Sequence, residues 1–426
     1  MRIGILSQWY DPEPGPASTT GVMARQLVDL GHEVYVLTGF PNYPDGRVAA
    51  GYRQTPLFQE VLDGVTVLRV PLYPSHDASS VRRIANYTSF AVSAALLGVP
   101  RLPQLDVLWV NYSPITLALP MWLTRYGRRV PVICEVADLW PDTLAVAGLR
   151  SSGRVAQLGW GLIDAWCKAM YASSRAVVHI SPSAGLTLEG RGVRNERLHY
   201  IPKATNEEIY HTHGSSLRSA LNIAADANVL LYAGAMGAAQ DLGPLLQACA
   251  AIEPQWRPTV LLAGSGTQEP LLRDMTVQLG LSTVHFLGRV PEEDMTDLMA
   301  TADVAYISLA QHTTSGVTMP SKTQAILASG KAIVVAGDGD VADLVSSRGV
   351  GFAAAPSDVP SIESALRSWL SAGRSGTTEL GVRARQLYEN EFSVSRLGTQ
   401  VDSLVNLVTS TSAQHPSRSM SQKRKR

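Results

Sequence analysis

Cysteine is scarce in this sequence. The 426 residues include three cysteines, Cys134, Cys167 and Cys249, and none of them forms a Cys-x-x-Cys pair. Such spacing argues against a disulfide framework and against a zinc site built from cysteine thiolates, and it is typical of a reducing compartment. We therefore expect a cytoplasmic protein.

Neither sign of charge is in excess, and long apolar runs are missing. Lysine plus arginine and aspartate plus glutamate both number 36, so no global field favours nucleic acid and any charge effect must be local. No run of eighteen apolar residues predicts a membrane-spanning helix, and the first residues enter a strand pattern without the apolar stretch of a signal peptide. No Gly-x-Gly-x-x-Gly opens either half of the chain, which argues against a dehydrogenase.

The order of the elements predicts an α/β protein. Arg2–Ser7 has the pattern of a strand, Thr19–Leu30 of a helix and Val34–Thr38 of the next strand, which is the opening of a doubly wound parallel sheet. The pattern restarts at Val229, and 426 residues favour two domains. We predict Rossmann-like domains over residues 1–203 and 204–394, a final helix over 395–409 that belongs with the first domain, and a disordered basic tail over 410–426.

One helix carries features of a membrane surface. Val81–Val99 has apolar residues at helical spacing, and Arg82, Arg83 and Arg101 flank its apolar body. This pattern is typical of a helix that lies in a bilayer interface, which would place the protein at the inner face of the plasma membrane. A helix that faces the protein core has the same spacing, so both interpretations stay open.

Lys322 is the first candidate for a ligand contact. The stretch 316–335 has the pattern of a loop, a helix over Ser321–Ser329 with Ser321 at its cap, and a buried strand over Ala332–Val335. Free amides and the positive end of the helix dipole favour an anion at a helix start, and Lys322 adds a full positive charge there. A diphosphate is the anion that fits best. The alternative is a solvated surface lysine.

Acidic residues follow a predicted central strand, Val130–Cys134. Three carboxylates and a Trp-Pro pair lie within residues 135–142. Carboxylates at such a strand end must be solvated, paired or bonded to ligand hydroxyls. Asp138 is the predicted contact to the reacting groups, unless it only caps the next helix.

The loop after the first strand contains small residues that allow close approach to a substrate. These residues are Gly15, Pro16, Ala17 and Ser18. Parallel sheets bind ligands at the carboxyl ends of their strands, and this loop is longer than a turn requires, so a ligand is favoured over a tight turn without one.

Several short motifs, taken in order, resemble one family. The first half of the chain contains Gln8-Trp-Tyr-Asp-Pro-Glu, Gly31-His-Glu-Val, Thr38-Gly-Phe-Pro-Asn-Tyr-Pro and Asp138-Leu-Trp-Pro-Asp. The second half contains Tyr232-Ala-Gly-Ala-Met-Gly, Ala263-Gly-Ser-Gly, Phe286-Leu-Gly-Arg-Val and Pro320-Ser-Lys. This series resembles retaining family 4 glycosyltransferases, in the branch of the colanic-acid and fucosamine transferases of bacterial surface polysaccharides. The resemblance covers residues 1 to about 408.

The resemblance implies a GT-B fold, with two facing Rossmann-like domains and a C-terminal helix that crosses back to the first. It implies retaining transfer of a sugar from a nucleotide-diphosphate donor, often UDP-linked, to a lipid-linked or other glycan acceptor, without a cofactor or essential metal. The implied catalytic residues are Asp138 and Lys322, with Gly15 to Ser18 facing the acceptor. The implied donor-binding residues are Gly234, Gly237, Gln240, Gly264, Gly266, Arg289, Val290, Pro320, Ser321 and Thr323.

The sequence also departs from the family pattern. Ala235 and Gln240 stand where many members have an arginine and a lysine, and Val317 and Ala325 stand where the family has a pair of glutamates. After Ile-Pro the usual asparagine and aspartate are replaced by Lys203 and Asn206. Two alternatives therefore stay open: a catalytically weakened homologue that binds nucleotide sugar or partners an active enzyme, and a sugar-nucleotide 2-epimerase.

Overall fold

The computed structural model describes residues 1–14, 18–75, 79–142, 154–311 and 315–413. The predicted acceptor loop at Gly15, Pro16 and Ala17 lies outside the described residues, and so does most of the predicted tail, from residue 414 onwards. The disordered tail was predicted to begin at residue 410, but this boundary is wrong, because residues 410–413 continue the last helix.

Two β-sheets form the framework. The first has eight strands in the order β3-β4-β2-β1-β5-β6-β7-β8, parallel except for the pair β3–β4. The second has six strands in the order β11-β10-β9-β12-β13-β14, all parallel. Their bounds are β1 Arg2–Leu6, β2 Glu33–Gly39, β3 Phe58–Leu62, β4 Val65–Val70, β5 Val107–Asn111, β6 Val132–Val136, β7 Ala176–His179, β8 Leu198–Tyr200, β9 Val229–Ala233, β10 Thr259–Ala263, β11 Val284–Gly288, β12 Val304–Ser308, β13 Ala332–Ala336 and β14 Gly351–Ala354.

Helices cover both faces of each sheet, as the alternation of strands and helices predicted. The α-helices of the described ranges are α1 Ser18–Asp29, α2 Ser80–Ser93, α3 Ala118–Trp122, α4 Arg154–Ser173, α5 Ala184–Gly190, α6 Gly243–Ala251, α7 Glu269–Gln278, α8 Met295–Thr301, α9 Lys322–Ala328, α10 Gly339–Arg348, α11 Val359–Leu387 and α12 Val394–Ala413. The helix expected over Val81–Val99 is α2, continued by a π turn over Ala94–Gly98 and a 3-10 turn over Val99–Arg101.

The first sheet has an apolar core on each face. On one face Phe90 of α2, Met121 of α3 and Met170 of α4 are fully buried against the sheet. On the other face α1 and α12 bury their apolar sides together with β1 and β2. The chain therefore returns to its first domain at its end, as predicted.

The crossing helix α12 is fixed to α1 by apolar and polar contacts. Val401 and Leu404 are buried in the same cluster as Leu27 of α1. The ring atom Nε2 of His32, just after α1, lies 2.9 Å from Oδ1 of Asp402. Burial of these side chains holds the last helix of the chain on the first domain.

The carboxyl edges of the two sheets face each other. Ser181, after β7, donates its hydroxyl to the Val317 carbonyl at 2.6 Å. Asp340 in α10 accepts hydrogen bonds from the backbone N–H and the hydroxyl of Ser183 at 2.9 and 2.6 Å. Asp45, after β2, lies 3.5 Å from Arg289, after β11. These contacts place the loops that follow the strands of both sheets around one cleft.

Candidate active site

Lys322 is the first residue of α9, and its ammonium lies beside the loop that follows β9. Its Nζ atom lies 4.1 Å from the centroid of the Tyr232 ring. A Cβ atom built on Gly234 would be 2.7 Å from Nζ, so a larger residue at position 234 would displace the ammonium from its present place. Among the described residues, no carboxylate lies within ion-pair distance of Nζ and no hydrogen bond from it is formed. Burial lowers the pKa of Lys322 to about 7 from its ordinary 10.5.

Glycines bring the loops after β9 and β10 into backbone contact. Gly234 and Gly264 have φ angles of 144° and 130°, which L side chains rarely adopt. A Cβ on Gly264 would collide with the carbonyl oxygen of Gly234, and one on Gly266 would collide with that of Met236. The Gly234 N–H donates to the Ala263 carbonyl at 2.9 Å. Glycine at these positions therefore lets the two loops pack directly against each other through their backbones.

Arg289 and Gln240 stabilise the loops around Lys322. Arg289 donates from Nε to the Ser265 hydroxyl at 3.0 Å, and two thirds of its side chain is exposed. Gln240 accepts the Gly237 N–H at 3.2 Å, which closes its own turn. Val290, next to Arg289, is half-buried against the core of the second domain. The loops that carry these residues all follow strands at the carboxyl edge of the second sheet.

The start of α9 differs from the prediction in detail. Ser321 occupies the cap position, but its side chain makes no capping hydrogen bond. The Thr323 N–H, expected to be free for a diphosphate, donates to the Pro320 carbonyl at 2.9 Å. The side chain of Thr323 is fully buried. The Lys322 ammonium and the Ser321 hydroxyl are therefore groups of this turn that can reach a ligand without breaking a bond to another described residue.

Apolar residues, Val317 and Ala325, occupy the two positions where the family has glutamates. Val317 packs against the core of the first domain, and Ala325 is buried within α9. Gln324 is also buried, with 2% of its surface exposed, and its Oε1 atom has no hydrogen-bond partner in the described part of the chain.

Asp138 lies just after β6, at the carboxyl edge of the first sheet. It accepts a hydrogen bond from the Ser113 hydroxyl at 2.7 Å through Oδ2. Oδ1 makes no hydrogen bond to the described residues and is free to accept one from a sugar hydroxyl. Asp142, in contrast, is paired with Arg191 at 2.7 Å. The three carboxylates grouped in the sequence thus separate in the structure.

The third of these carboxylates belongs to a buried network that the sequence analysis missed. Glu135 accepts the Trp109 indole N–H at 2.7 Å and forms an ion pair with Lys203. This pair lines a small cavity beneath Thr19 and Thr20 at the start of α1. Lys203 was noted only as a departure from the family, and its partner is 68 positions earlier in the sequence, so local patterns gave no signal of the pair.

The loop after β1 is anchored by Glu13. Its buried carboxylate accepts the backbone N–H groups of Asn42 at 2.7 Å, Tyr43 at 2.8 Å and Tyr10 at 3.2 Å. Burial raises the pKa of Glu13 despite these bonds. Ser18, the last predicted acceptor contact, begins α1. Glu13 thus fixes the chain immediately before the segment predicted to face the acceptor.

The described ranges contain neither a membrane-spanning helix nor a group of side chains suited to a metal ion. No helix there combines the length and the apolar character that crossing a membrane requires. No group of three or more His, Cys, Asp or Glu side chains in those ranges is arranged to hold a metal ion.

Two family models match the chain, one to each domain. The model described as glycosyl transferase 4-like domain matches residues 14–204. The model described as glycosyl transferases group 1 matches residues 227–372. WcaI of Escherichia coli (strain K12), which is named for a role as a glycosyl transferase of colanic acid biosynthesis, is 26% identical over 348 residues, which is 79% of this chain and 83% of that protein.

Solved structures share the whole arrangement. Sucrose-phosphate synthase of Thermosynechococcus elongatus has a TM-score of 0.70 at 18% identity and covers 96% of this chain and 99% of its own. HepE of Anabaena in complex with UDP-glucose has a TM-score of 0.69 at 18% identity, with 96% and 100% covered. WaaG, a glycosyltransferase involved in lipopolysaccharide biosynthesis, has a TM-score of 0.67 at 15% identity, with 96% and 99% covered.

The fold is GT-B, and the protein is a glycosyltransferase. The chain belongs to family 4 of these enzymes, among the transferases of surface polysaccharide synthesis, as its motifs predicted. Since both matching families are transferases, the sugar-nucleotide 2-epimerase alternative loses its support.

Proposed function

We propose that this protein is a retaining glycosyltransferase that moves a sugar from a UDP-linked donor to a lipid-linked or other glycan acceptor. The observation that carries the proposal is the unpaired ammonium of Lys322 beside Gly234, at the carboxyl edge of a parallel sheet. In the reaction the bond between the anomeric carbon and the diphosphate oxygen breaks, and the acceptor oxygen bonds to that carbon. Its proton leaves with the diphosphate or to water.

The Lys322 ammonium would stabilise the negative charge that develops on the departing diphosphate. A preorganised donor in a site with little water is more effective than the same group in solution. Gly264 and Gly266 would let the nucleotide approach the backbone, and Arg289 and Val290 would line the base. The structural neighbour HepE is described in complexes with UDP and with UDP-glucose, which supports a nucleotide-sugar donor for this chain.

Asp138 would act on the sugar side of the cleft. Its free Oδ1 atom would accept a hydroxyl hydrogen bond from the transferred sugar or the acceptor, while Ser113 holds the other oxygen. The proposed acceptor contacts, Gly15 to Ser18, follow the loop that Glu13 anchors.

The replacement of Lys322 by alanine tests this function. We expect Lys322→Ala to lower the turnover of a UDP-sugar by about 100- to 1,000-fold, the usual loss when one transition-state charge donor is removed. The matched control is Lys168→Ala, because Lys168 is a half-exposed lysine of α4 that pairs with Asp164 at 2.8 Å. Radiolabelled sugar transfer to a lipid extract measures the effect. Equal turnover in Lys322→Ala and Lys168→Ala would contradict the proposed role.

A second candidate is a weakened homologue that binds nucleotide sugar without efficient transfer. The apolar surroundings of Val317 and Ala325 favour it, because α9 offers no carboxylate to a ribose. Calorimetry distinguishes the two candidates. Binding of UDP together with no transfer from a panel of UDP-sugars supports the second, and transfer above the level of Lys322→Ala supports the first.

The first domain also has an exposed apolar surface suited to a membrane-bound acceptor. We define the α2–α4 surface by Val81, Ile84 and Leu96 of α2 and its π turn, Leu119, Leu123 and Tyr126 of α3 and the turn after it, and Leu158 and Leu162 of α4, all exposed. Helices α3 and α4 are in contact, since the rings of Trp122 and Trp166 lie 4.8 Å apart.

Helix α2 has a buried side and an exposed apolar side, so its structure is compatible with both interpretations of its sequence. Phe90 and Ala91 face the core while Val81 and Ile84 face solvent. Exposed Arg101 and Arg129 lie near the ends of this region. Apolar side chains edged by arginine suit the interface of a bilayer with anionic lipids. We propose that this surface rests on the membrane that holds the acceptor.

A further inference from the structure

A second cavity lies on the opposite edge of the second sheet. It has a volume of about 600 Å³, within the range of small-molecule sites. Its walls include Asp303 just before β12, Lys331 just before β13, and one stripe of α11 from Arg374 to Gln386. These residues precede the strands, whereas the donor site follows them. A five-residue strand separates the two edges by roughly 15 Å.

The cavity carries four cationic side chains and one carboxylate. The cations are Arg218, Lys331, Arg374 and Arg385, and the carboxylate is Asp303. Asp303 is already occupied, because it pairs with Arg218 at 2.8 Å and accepts the Val229 N–H at 2.7 Å. Of the other three cations, Arg385 pairs with Glu389 at 2.7 Å outside the cavity wall, while Lys331 and Arg374 have no ion-pair partner among the described residues.

Two of the guanidinium groups converge on one neutral atom. Arg218 and Arg374 both donate to the carbonyl oxygen of Ala225, at 3.2 and 2.5 Å. Like charges this close to one another repel, and the carbonyl supplies only a partial negative charge. An anion in the cavity would remove this repulsion, since it could accept from the guanidinium faces that the carbonyl leaves free.

Most of the donors on these cations have no partner in the described structure. Lys331 donates to the Ala302 carbonyl at 2.9 Å, one of its three N–H groups. Arg374 donates one hydrogen bond, to the Ala225 carbonyl, so four of its five N–H donors have no partner. Arg385 donates to Glu389 and to the Ala328 carbonyl, so three of its five N–H donors have no partner. Burial also lowers the pKa of Lys331, so its charge is held there at a cost in free energy.

The remaining wall residues indicate the kind of anion. Thr212, Ser216, Thr378 and Gln386 contribute hydroxyl and amide groups, and no aromatic ring lines the cavity. A nucleobase would therefore have no aromatic side chain among the described wall residues to stack on. Hydroxyl partners together with clustered cations suit a polyhydroxylated molecule that carries a phosphate.

We propose that this cavity binds a phosphorylated sugar at a site separate from the nucleotide-sugar site. The phosphate contacts Lys331, Arg374 and Arg385, and the sugar hydroxyls contact Thr212 and Thr378. Thr212 belongs to the segment between the two domains, and α11 continues through a π turn into the crossing helix α12. A ligand that joins Thr212 to α11 ties the connection between the domains to the second sheet.

Calorimetry with glucose 6-phosphate as the probe tests the site, at low salt and with the full chain. We expect binding to the unmodified protein that weakens at least tenfold in Arg374→Gln and further in the double variant R374Q/R385Q. The matched control is Arg383→Gln on the same helix, because Arg383 lies outside the cavity and pairs with Glu379 only at 3.7 Å. Arg374 is exposed, so its replacement by glutamine leaves the fold intact.

Four results would overturn the proposal. The first is no heat of binding up to millimolar glucose 6-phosphate. The second is equal affinity in Arg374→Gln and Arg383→Gln. The third is competition between glucose 6-phosphate and UDP, which would place the probe in the cleft. The fourth is equal affinity for inorganic phosphate, which would show that no sugar is recognised. Retained UDP binding in R374Q/R385Q separates this site from the proposed catalytic one.

Discussion

At the scale of single residues, the protonation of Lys322 governs the proposed chemistry. Its pKa of about 7 means that the free protein holds it charged below neutral pH and mostly neutral at pH 8. A bound diphosphate favours the charged form and raises this pKa again. The affinity for UDP should therefore fall as the pH rises from 6 to 9.

Proton uptake gives this prediction a direct measurement. At pH 8 UDP is fully ionised, so we expect its binding to take up a proton through Lys322. Calorimetry in two buffers with different ionisation enthalpies detects the uptake, and Lys322→Gln is the control that should lack it. Identical binding enthalpies in both buffers would contradict the expected role of this lysine.

The same pKa affects stability in a defined direction. Because the folded pKa lies below that of the unfolded chain, the unfolded state binds more protons between about pH 7 and pH 10. The contribution of Lys322 to the free energy of unfolding therefore increases as the pH rises through that window.

Some site residues could be read from the sequence, and others depend on the tertiary fold. Lys322 was predicted because a cation in the first turn of a helix is unusual, and Gly264 was predicted from the resemblance to the family. The Lys322–Tyr232 contact joins positions 90 residues apart, so no local sequence pattern predicts it. The same holds for the Glu135–Lys203 ion pair, which only the pairing of distant strands brings together.

At the scale of elements, the packing of α12 on α1 should contribute strongly to stability. Leu404 is 4% exposed in the core beside α1, while Leu407 on the same helix is 54% exposed. We expect Leu404→Ala to lower the free energy of unfolding by about 2–5 kcal/mol, from lost burial and the cavity left behind. Chemical denaturation followed by tryptophan fluorescence measures the change.

Leu407→Ala is the matched control for this effect. An exposed leucine should change stability by no more than about 0.5 kcal/mol. Similar losses in both variants would mean that α12 does not depend on its buried side for attachment.

The elements were largely predictable, and the errors have physical causes. The strand expected over Val130–Cys134 runs from 132 to 136, because Pro131 has no N–H to give to the ladder. The edge strand β3 was missed, since its residues are half-exposed or exposed and lack a buried face. The break inside α11 at Gly373, with φ of 62°, also gave no signal beyond a glycine in a helical pattern.

At the scale of the whole molecule, the α2–α4 surface predicts binding to anionic membranes. We expect the protein to float with vesicles that contain phosphatidylglycerol and less with purely zwitterionic vesicles, because each basic residue near an anionic surface contributes roughly 1 kcal/mol. Ile84→Glu with Leu96→Glu should abolish flotation, since both side chains are exposed, at 62% and 69%.

Charge added elsewhere should leave flotation unchanged. Val277→Glu with Leu271→Glu is the matched control, because these side chains are exposed at 81% and 55% on α7 of the second domain. Flotation that persists in Ile84→Glu with Leu96→Glu, or that is lost equally in the control pair, would disprove membrane docking by this face.

The attachment of α12 to α1 brings the last described helix close to the first residue, with the Thr409 hydroxyl 3.7 Å from the sulfur of Met1. Synthesis of the first sheet is complete at Tyr200, but α12, which covers one face of that sheet, is synthesised about 200 residues later. At 5–20 residues per second this delay is roughly 10–40 s. For that interval the nascent first domain exposes Val22 and its apolar neighbours to solvent. The apolar face of the first domain therefore stays partly exposed until α12 has been synthesised and has packed against it.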